Sequence, residues 1–390
     1  MILIKNANLI SMSDVNYKIV DILVSDGVVK EIGELNEKDF LDALVIDAKK
    51  NYVTPGIVDP HCHIGLIEEG IGFEGSDINE TTDPVCPELR GYDAVKPQDV
   101  AFKNALKAGV TTVCTGPGSA NVIGGTFTIL KTTGKTVDDM VVVKESSMKM
   151  ALGENPKRVY NSKSKSPMTR MASAALLREA LLKAKCYQEK QAKYEEDIKI
   201  GKDVVKPEFN FKIESLARVF KGLPVRIHAH QQDDIVTAVR IMEEFGLNGT
   251  IEHATEGYLI CDYMKEHNVK AILGPTLGTN SKYELRNKSF LAAKVLKENE
   301  VEFAIMTDHP VIHSANALTQ VGLFVREGLE ELEAFKAVTI NAAKLNNIDK
   351  RVGSIEIGKD ADIVIWNNHP LHYLTKPEYV IVNGKVAYKE

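Results

Sequence analysis

Five histidines and one aspartate stand where one fold could gather them round a divalent metal: His61, His63, His228, His230, His253 and Asp308. His61 and His63 follow Thr54-Pro-Gly-Ile-Val-Asp-Pro60, which reads as a turn leading into a short buried strand. Alternate side chains of a strand share a face, so both imidazoles point the same way, with Asp59 just before them. Pro224-Val-Arg-Ile-His-Ala-His230 ends a second strand with His228 and His230 on one face. Gly249-Thr-Ile-Glu-His253 closes a third, and Phe303-Ala-Ile-Met-Thr-Asp308 closes a fourth. A lone histidine at a strand end is usually a packing residue, but four such endings in one chain ask for a common cause. His61, His63, His228, His253 and Asp308 form a nitrogen-rich, carboxylate-completed set that suits zinc, with manganese or iron(II) as alternatives. Whether His228 or His230 is the ligand of that pair is left open by the spacing. Bound zinc lowers the pKa of its water to about 7 and polarises carbonyls, so the chemistry this set points to is hydrolysis.

The elements that would position these residues can be read from the apolar runs. Eight β-rich segments, Gly56–His63, Val110–Thr115, Phe127–Lys131, Ser147–Leu152, Pro224–His230, Gly249–His253, Lys270–Pro275 and Glu302–Asp308, recur with helical stretches between them. That alternation predicts a parallel α/β barrel, a TIM-type (β/α)8 fold, whose chemistry lies at the C-terminal strand ends. The polar motifs fall at those ends. Residues 2–54 predict a small antiparallel sheet with a hairpin at Asp26-Gly27, and a second hairpin at Asn383-Gly384 marks a similar region near the other terminus. Both termini are therefore expected to build one β-sandwich, residues 1–54 with 352–390, flanking a barrel over 55–351. Ala172–Lys199 exceeds a routine barrel helix, and its distal half is expected to be a solvated extension.

At 390 residues, with 44% hydrophobic and 26% charged residues and a net charge of −6, the chain gives no electrostatic case for nucleic acid or an anionic membrane. No apolar run approaches the roughly twenty residues that span a bilayer, and the N-terminus lacks a signal-peptide layout, so a cytoplasmic location is expected. Five scattered cysteines without a Cys-x-x-Cys pair argue for reduced thiols. Cys62 alternates away from His61 and His63 and is expected to pack.

On these residues the chain resembles the metal-dependent amidohydrolase superfamily over nearly its whole length. The resemblance rests on Pro55-Gly-Ile-Val-Asp-Pro-His-Cys-His63, the strand-end histidines at 228 and 253, Thr307-Asp308 and Gly353-Ser-Ile-Glu-Ile-Gly-Lys-Asp-Ala-Asp-Ile-Val364. Ile227-His-Ala-His and Ile251-Glu-His look closest to its imidazolonepropionase and Xaa-Pro dipeptidase-like branch. The resemblance implies a distorted (β/α)8 barrel with a β-sandwich from both termini. It further implies that His61, His63 and Asp308 hold a buried metal, while His228 and His253 hold a second or, with one metal, contact substrate. Two-metal relatives carry a carboxylated lysine or a glutamate on the fourth strand; Glu154, beside Gly153 just past the strand end, is preferred here over Lys149. Asp308 would move the proton from water to the leaving nitrogen, and His230 would stabilise the oxyanion. The implied activity is hydrolysis of an amide or cyclic amide C–N bond in a small molecule, with a deaminase or a non-catalytic scaffold as the alternatives and a homo-oligomer as the expected assembly.

Other stretches carry weaker expectations. Thr115–Gly125 is glycine-rich without a phosphate-loop pattern and is expected to be a flexible loop over the barrel mouth. Arg158 or Arg170 is a candidate for a substrate carboxylate, Glu74 or Asn79 for another substrate contact, and His309 for lining the site.

Overall fold

Asp26-Gly27 and Asn383-Gly384 all take positive φ (54°, 82°, 48° and 70°), the two-residue turn geometry that matches strand twist, and each closes the hairpin its sequence predicts. The computed structural model describes residues 1–390 except Asp14, Asn16 and Tyr17. Strands β1 (Ile2–Leu9), β2 (Ile19–Ser25), β3 (Val28–Gly33), β4 (Leu44–Asp47) and β5 (Tyr52–Pro55) open the chain. Next come β6 (Ile57–Cys62), β7 (Val110–Thr115), β8 (Ile123–Lys131), β9 (Val141–Ala151), β10 (Val225–Ala229), β11 (Gly249–His253), β12 (Ala271–Leu273) and β13 (Phe303–Ile305). Strands β14 (Ile363–Trp366), β15 (Pro377–Val382) and β16 (Lys385–Lys389) end it.

The terminal strands join into one eight-stranded sheet, ordered β16-β15-β14-β5-β1-β2-β3 with β4 also on β1. It is packed on its own apolar cluster, which includes Ile4, Ile22, Ile46, Val53, Ile363 and Ile381. The sheet is mixed, where the sequence predicts antiparallel pairing for residues 2–54: β4 and β5 run parallel to β1. The chain between β3 and β4 carries a 3-10 turn at Glu37–Asp39 and crosses over instead of folding back as a hairpin.

The second sheet runs β6 to β13 in chain order and curls into a nearly closed barrel. Its two edges meet where Asp308 N donates to His61 O (3.1 Å) and His63 N to His309 O (2.9 Å). One expectation is corrected here. The third strand, β8, runs antiparallel to both β7 and β9, so the barrel is not wholly parallel. Parallel neighbours need a crossover of a dozen or so residues, and the stretch from Gly116 to Val122 is too short to supply one. That glycine-rich stretch is also buried and packed instead of lying loose over the mouth. A Cβ on Gly116 would meet the Phe127 ring at 2.4 Å, so only glycine fits.

Pro55 passes directly into β6 through Gly56, where a Cβ would lie 2.1 Å from Thr111 Oγ1. The Thr-Pro-Gly signal is thus a packing requirement at the seam between the two sheets. Lys131, at the end of β8, fixes the same seam by pairing with Asp362 (2.7 Å) and Asp360 (3.0 Å). The long helix Arg170–Lys199 buries side chains only as far as Tyr187; its distal half is solvated, as its composition predicts. Among the described residues no helix is long and apolar enough to cross a membrane.

Candidate metal centre

His61, His63 and Asp308 converge although β6 and Asp308 are far apart in sequence. Barrel closure makes this possible: Asp59 accepts hydrogen bonds from Thr307 N (3.2 Å) and Ser314 Oγ (2.8 Å) and fixes the segment after β13. Asp308 itself lies beyond the strand, with φ 54°, and this left-handed backbone turns its carboxylate back into the barrel. Its Oδ1 lies 3.1 Å from His63 Nε2 and 3.5 Å from His61 Nε2. Burial alone would raise the Asp308 pKa, but the His61 and His63 rings hold it well below the usual carboxylate range.

The other nitrogens are committed in a way that aims the rings. His63 Nδ1 bonds Gly116 O at 2.7 Å, and His61 Nδ1 bonds the carboxylate of Glu252. Burial would raise the Glu252 pKa, but the Arg226 guanidinium (3.2 Å) and His61 bring it down to about 2, so it is a carboxylate throughout the neutral range. Such a carboxylate fixes the tautomer with Nδ1 protonated and leaves the Nε2 lone pair free for a metal. His61 Nε2 is fully buried and makes no hydrogen bond.

His228, His230 and His253 form a second cluster, their candidate ligand atoms within 4.8 Å of one another. His253 has φ 71° and Ala254 φ 45°, so β11 ends in a left-handed turn that swings the ring onto His230, stacked at 4.3 Å. His253 Nδ1 bonds Gly274 O (2.8 Å) and His230 Nδ1 bonds Thr255 Oγ1 (2.7 Å), whereas both nitrogens of buried His228 lack partners. Burial pushes all three imidazoles towards the neutral form, His228 down to about 4.

Lys149 and Glu154 part company. Lys149 is fully buried on β9, its Nζ without a hydrogen bond and 5.5 Å from the Phe127 ring. Burial brings its pKa down to about 8 against the pull of the Glu252 and Asp308 carboxylates. Glu154 instead begins the helix Glu154–Asn161 and joins neither histidine cluster. Its carboxylate accepts from Glu284 N (3.3 Å), and its own N donates to Glu284 Oε2 (3.0 Å). A helix that starts three residues past the end of β9 directs the Glu154 side chain to the neighbouring loop.

Both clusters open into a cavity of about 630 Å³, lined also by Lys149, Asn79, Arg158, Lys282 and Lys288. Arg170, the other candidate for substrate, is bound to Asp234 at 2.7 Å. Glu74 is exposed and away from the cavity, and His309 is buried with its Nδ1 accepting from Ser314 N. Cys62 packs, donating to Cys114 O. Four contributors escape the sequence reading. Arg226 and Glu252 carry a signal, since a charge inside a short apolar strand is buried only when paired. Lys282 and Glu284 sit in an irregular loop with no periodicity to mark them; Glu284 Oε1 lies 3.4 Å from His230 Nε2 and 2.7 Å from Lys282 Nζ.

Orphaned buried nitrogens, neutral imidazoles and one ionised carboxylate make a donor set that fits divalent metal. The comparisons agree. The amidohydrolase family pattern matches residues 52–387. A solved amidohydrolase from Thermotoga maritima MSB8 is 40% identical, with a TM-score of 0.94 and full coverage of both chains. Imidazolonepropionase of Bacillus cytotoxicus is 26% identical over 94% of this chain and 88% of its own length. Amidohydrolase tasK of Hapsidospora irregularis is 27% identical over 95% of this chain, which spans 40% of the length of that relative. With this fold, these residues and a match over most of its length, the chain belongs to the amidohydrolase family, hydrolases of carbon–nitrogen bonds.

Proposed function

We propose that the protein hydrolyses an amide or cyclic amide C–N bond of a small molecule, using a pair of divalent ions, zinc foremost, with manganese or iron as substitutes. One observation carries this reading: two buried histidine clusters share a cavity with a buried lysine, Lys149, whose Nζ has no hydrogen-bond partner. His61, His63 and Asp308 would hold one ion, and His228 and His253 the other. Lys149 would bridge them as a carbamate, formed when its neutral amine adds carbon dioxide and releases a proton. Bound metal would supply an activated water near neutral pH and polarise the substrate carbonyl.

The chain's own groups do the rest. Asp308 Oδ accepts the proton of the attacking water and returns it to the departing nitrogen, so that the amine leaves neutral. His230 Nδ1 is paired with Thr255 Oγ1; with the hydroxyl as donor, the ring would carry its proton on Nε2 and offer it to the developing oxyanion. Glu252 and Gly116 O hold the His61 and His63 rings in register throughout. The five cysteines are all free and four are buried, which supports a reducing, cytoplasmic setting.

The test is turnover of a panel of N-acyl amino acids, dipeptides and cyclic amides by metal-loaded and chelator-stripped protein, scored by release of amine or ring opening. Turnover that vanishes on chelation and returns with zinc is expected. No turnover of any amide by loaded protein would remove the reading, and ammonia released only from amine-bearing heterocycles would move it to a deaminase.

A further inference from the structure

The walls of the cavity above the two clusters are unevenly charged. Arg158, Lys282 and Lys288 line it above Lys149, and Asp308 is the sole carboxylate among its lining residues. This is a cationic hollow in a chain whose net charge is −6. Two of the four cations are accounted for. Lys149 sits fully buried on β9, and Lys282 is neutralised by Glu284 at 2.7 Å. Arg158 and Lys288 remain, and among the described residues neither has a carboxylate within ion-pair distance. Lys288 donates only to the carbonyls of Gly278 (2.5 Å) and Thr279 (3.2 Å), in the loop that lines the same cavity. An ammonium has three protons, so one donor is left over.

The two cations belong to segments fastened to each other. Arg158 lies on the helix Glu154–Asn161, and Lys288 lies just beyond the loop that carries Lys282 and Glu284. Reciprocal bonds between Glu154 and Glu284, with Lys282 Nζ on Asn155 Oδ1 (3.2 Å), clamp the helix start to that loop. Glu154 thus ties the helix that bears Arg158 to the loop that precedes Lys288, and both cations line the cavity. A guanidinium with its planar donors and a half-buried ammonium together suit a carboxylate.

We infer that the substrate of the hydrolase proposed above carries a carboxylate, held by Arg158 and Lys288, with its scissile C–N bond directed at Asp308; this rests on that proposed reaction. Calorimetry with metal-loaded protein tests it, using N-acetyl-amino acids and dipeptides, each paired with its primary carboxamide, on the wild type and on Arg158→Met, Lys288→Met and Arg158→Lys. One charge-assisted contact corresponds to about a tenfold change in affinity. The acids are expected to bind about tenfold or more tightly than the carboxamides, the preference collapsing in Arg158→Met and Lys288→Met and partly returning in Arg158→Lys. Carboxamides binding as well as acids, a preference unchanged in both methionine variants, or no acid binding at all would overturn the inference. Acids that bind selectively but release no amine would leave the anion site standing and count instead against the hydrolase reading.

Discussion

Lys149 and Glu154 lie five positions apart in different surroundings: Lys149 is buried on β9 and lines the cavity, whereas Glu154 is tied to the loop of Glu284. Lys149→Ala should cost most of the bound metal and reduce turnover by several orders of magnitude. Glu154→Ala should leave metal content intact and raise KM, because it removes the oxygen that accepts from Glu284 N and so loosens the clamp beside Arg158. Elemental analysis beside steady-state kinetics decides it; a Glu154→Ala protein that loses metal while Lys149→Ala keeps it would reverse the assignment. The acid behaviour of metal-stripped protein is set at the same scale. Burial holds His61, His228, His230 and His253 below the ordinary histidine range, His228 down to about 4. In the unfolded chain they titrate near about 6.5, so between those values the unfolded state binds more protons and stability falls as pH drops. His228 alone represents roughly 3 kcal/mol of this. Asp59, pushed up to about 6 by burial, has the opposite sign, since its folded form holds a proton that the unfolded form releases. His309, also brought down to about 4 by burial, makes five histidines against two carboxyls, Asp59 and the burial-raised Asp234; the histidines set the direction, so the urea midpoint of stripped protein should be lower near pH 5 than near pH 7, and an equal or higher midpoint would contradict it. The histidines were legible in sequence because strand alternation is a local rule. The clamp was not, because Glu284 meets Glu154 through a loop 130 residues away.

At the scale of elements, the strand order of the barrel could be read from the spacing of apolar runs, whereas the direction of β8 could not be read from hydrophobicity. Direction was encoded in loop length, since the short stretch between β7 and β8 forbids a crossover. The same inversion puts Lys131 at the seam with the terminal sheet, where it is 2% exposed and paired with Asp362 and Asp360. Asp360 keeps Arg351 at 2.8 Å if the lysine is lost, but Asp362 would be left buried with no cation. Lys131→Met should therefore destabilise the protein by roughly 3–5 kcal/mol. Part of this should return in Lys131→Met combined with Asp362→Asn, because the uncompensated charge is then gone. Urea unfolding followed through Trp366, the one tryptophan, and through helix signal measures it. Both signals should shift together, because the Lys131–Asp362 pair joins the barrel to the terminal sheet; a change confined to Trp366, or none, would contradict this.

The whole molecule is a mildly acidic barrel whose cavity gathers cations, with its histidines at the base and its clamp at the side. Fold and histidine set came through the sequence because both are periodic and repeated over the chain. The cationic lining did not, because it depends on which loops meet above the barrel. Metal is at the centre of the proposed chemistry. Its most direct test is elemental analysis of wild type purified without chelator, beside His61→Ala, with far-UV dichroism to confirm that both are folded. Close to two equivalents of zinc or another divalent ion per wild-type chain is predicted, with marked loss in a folded His61→Ala. A wild type that holds no metal even after reconstitution, or a His61→Ala that holds as much as wild type, would contradict it.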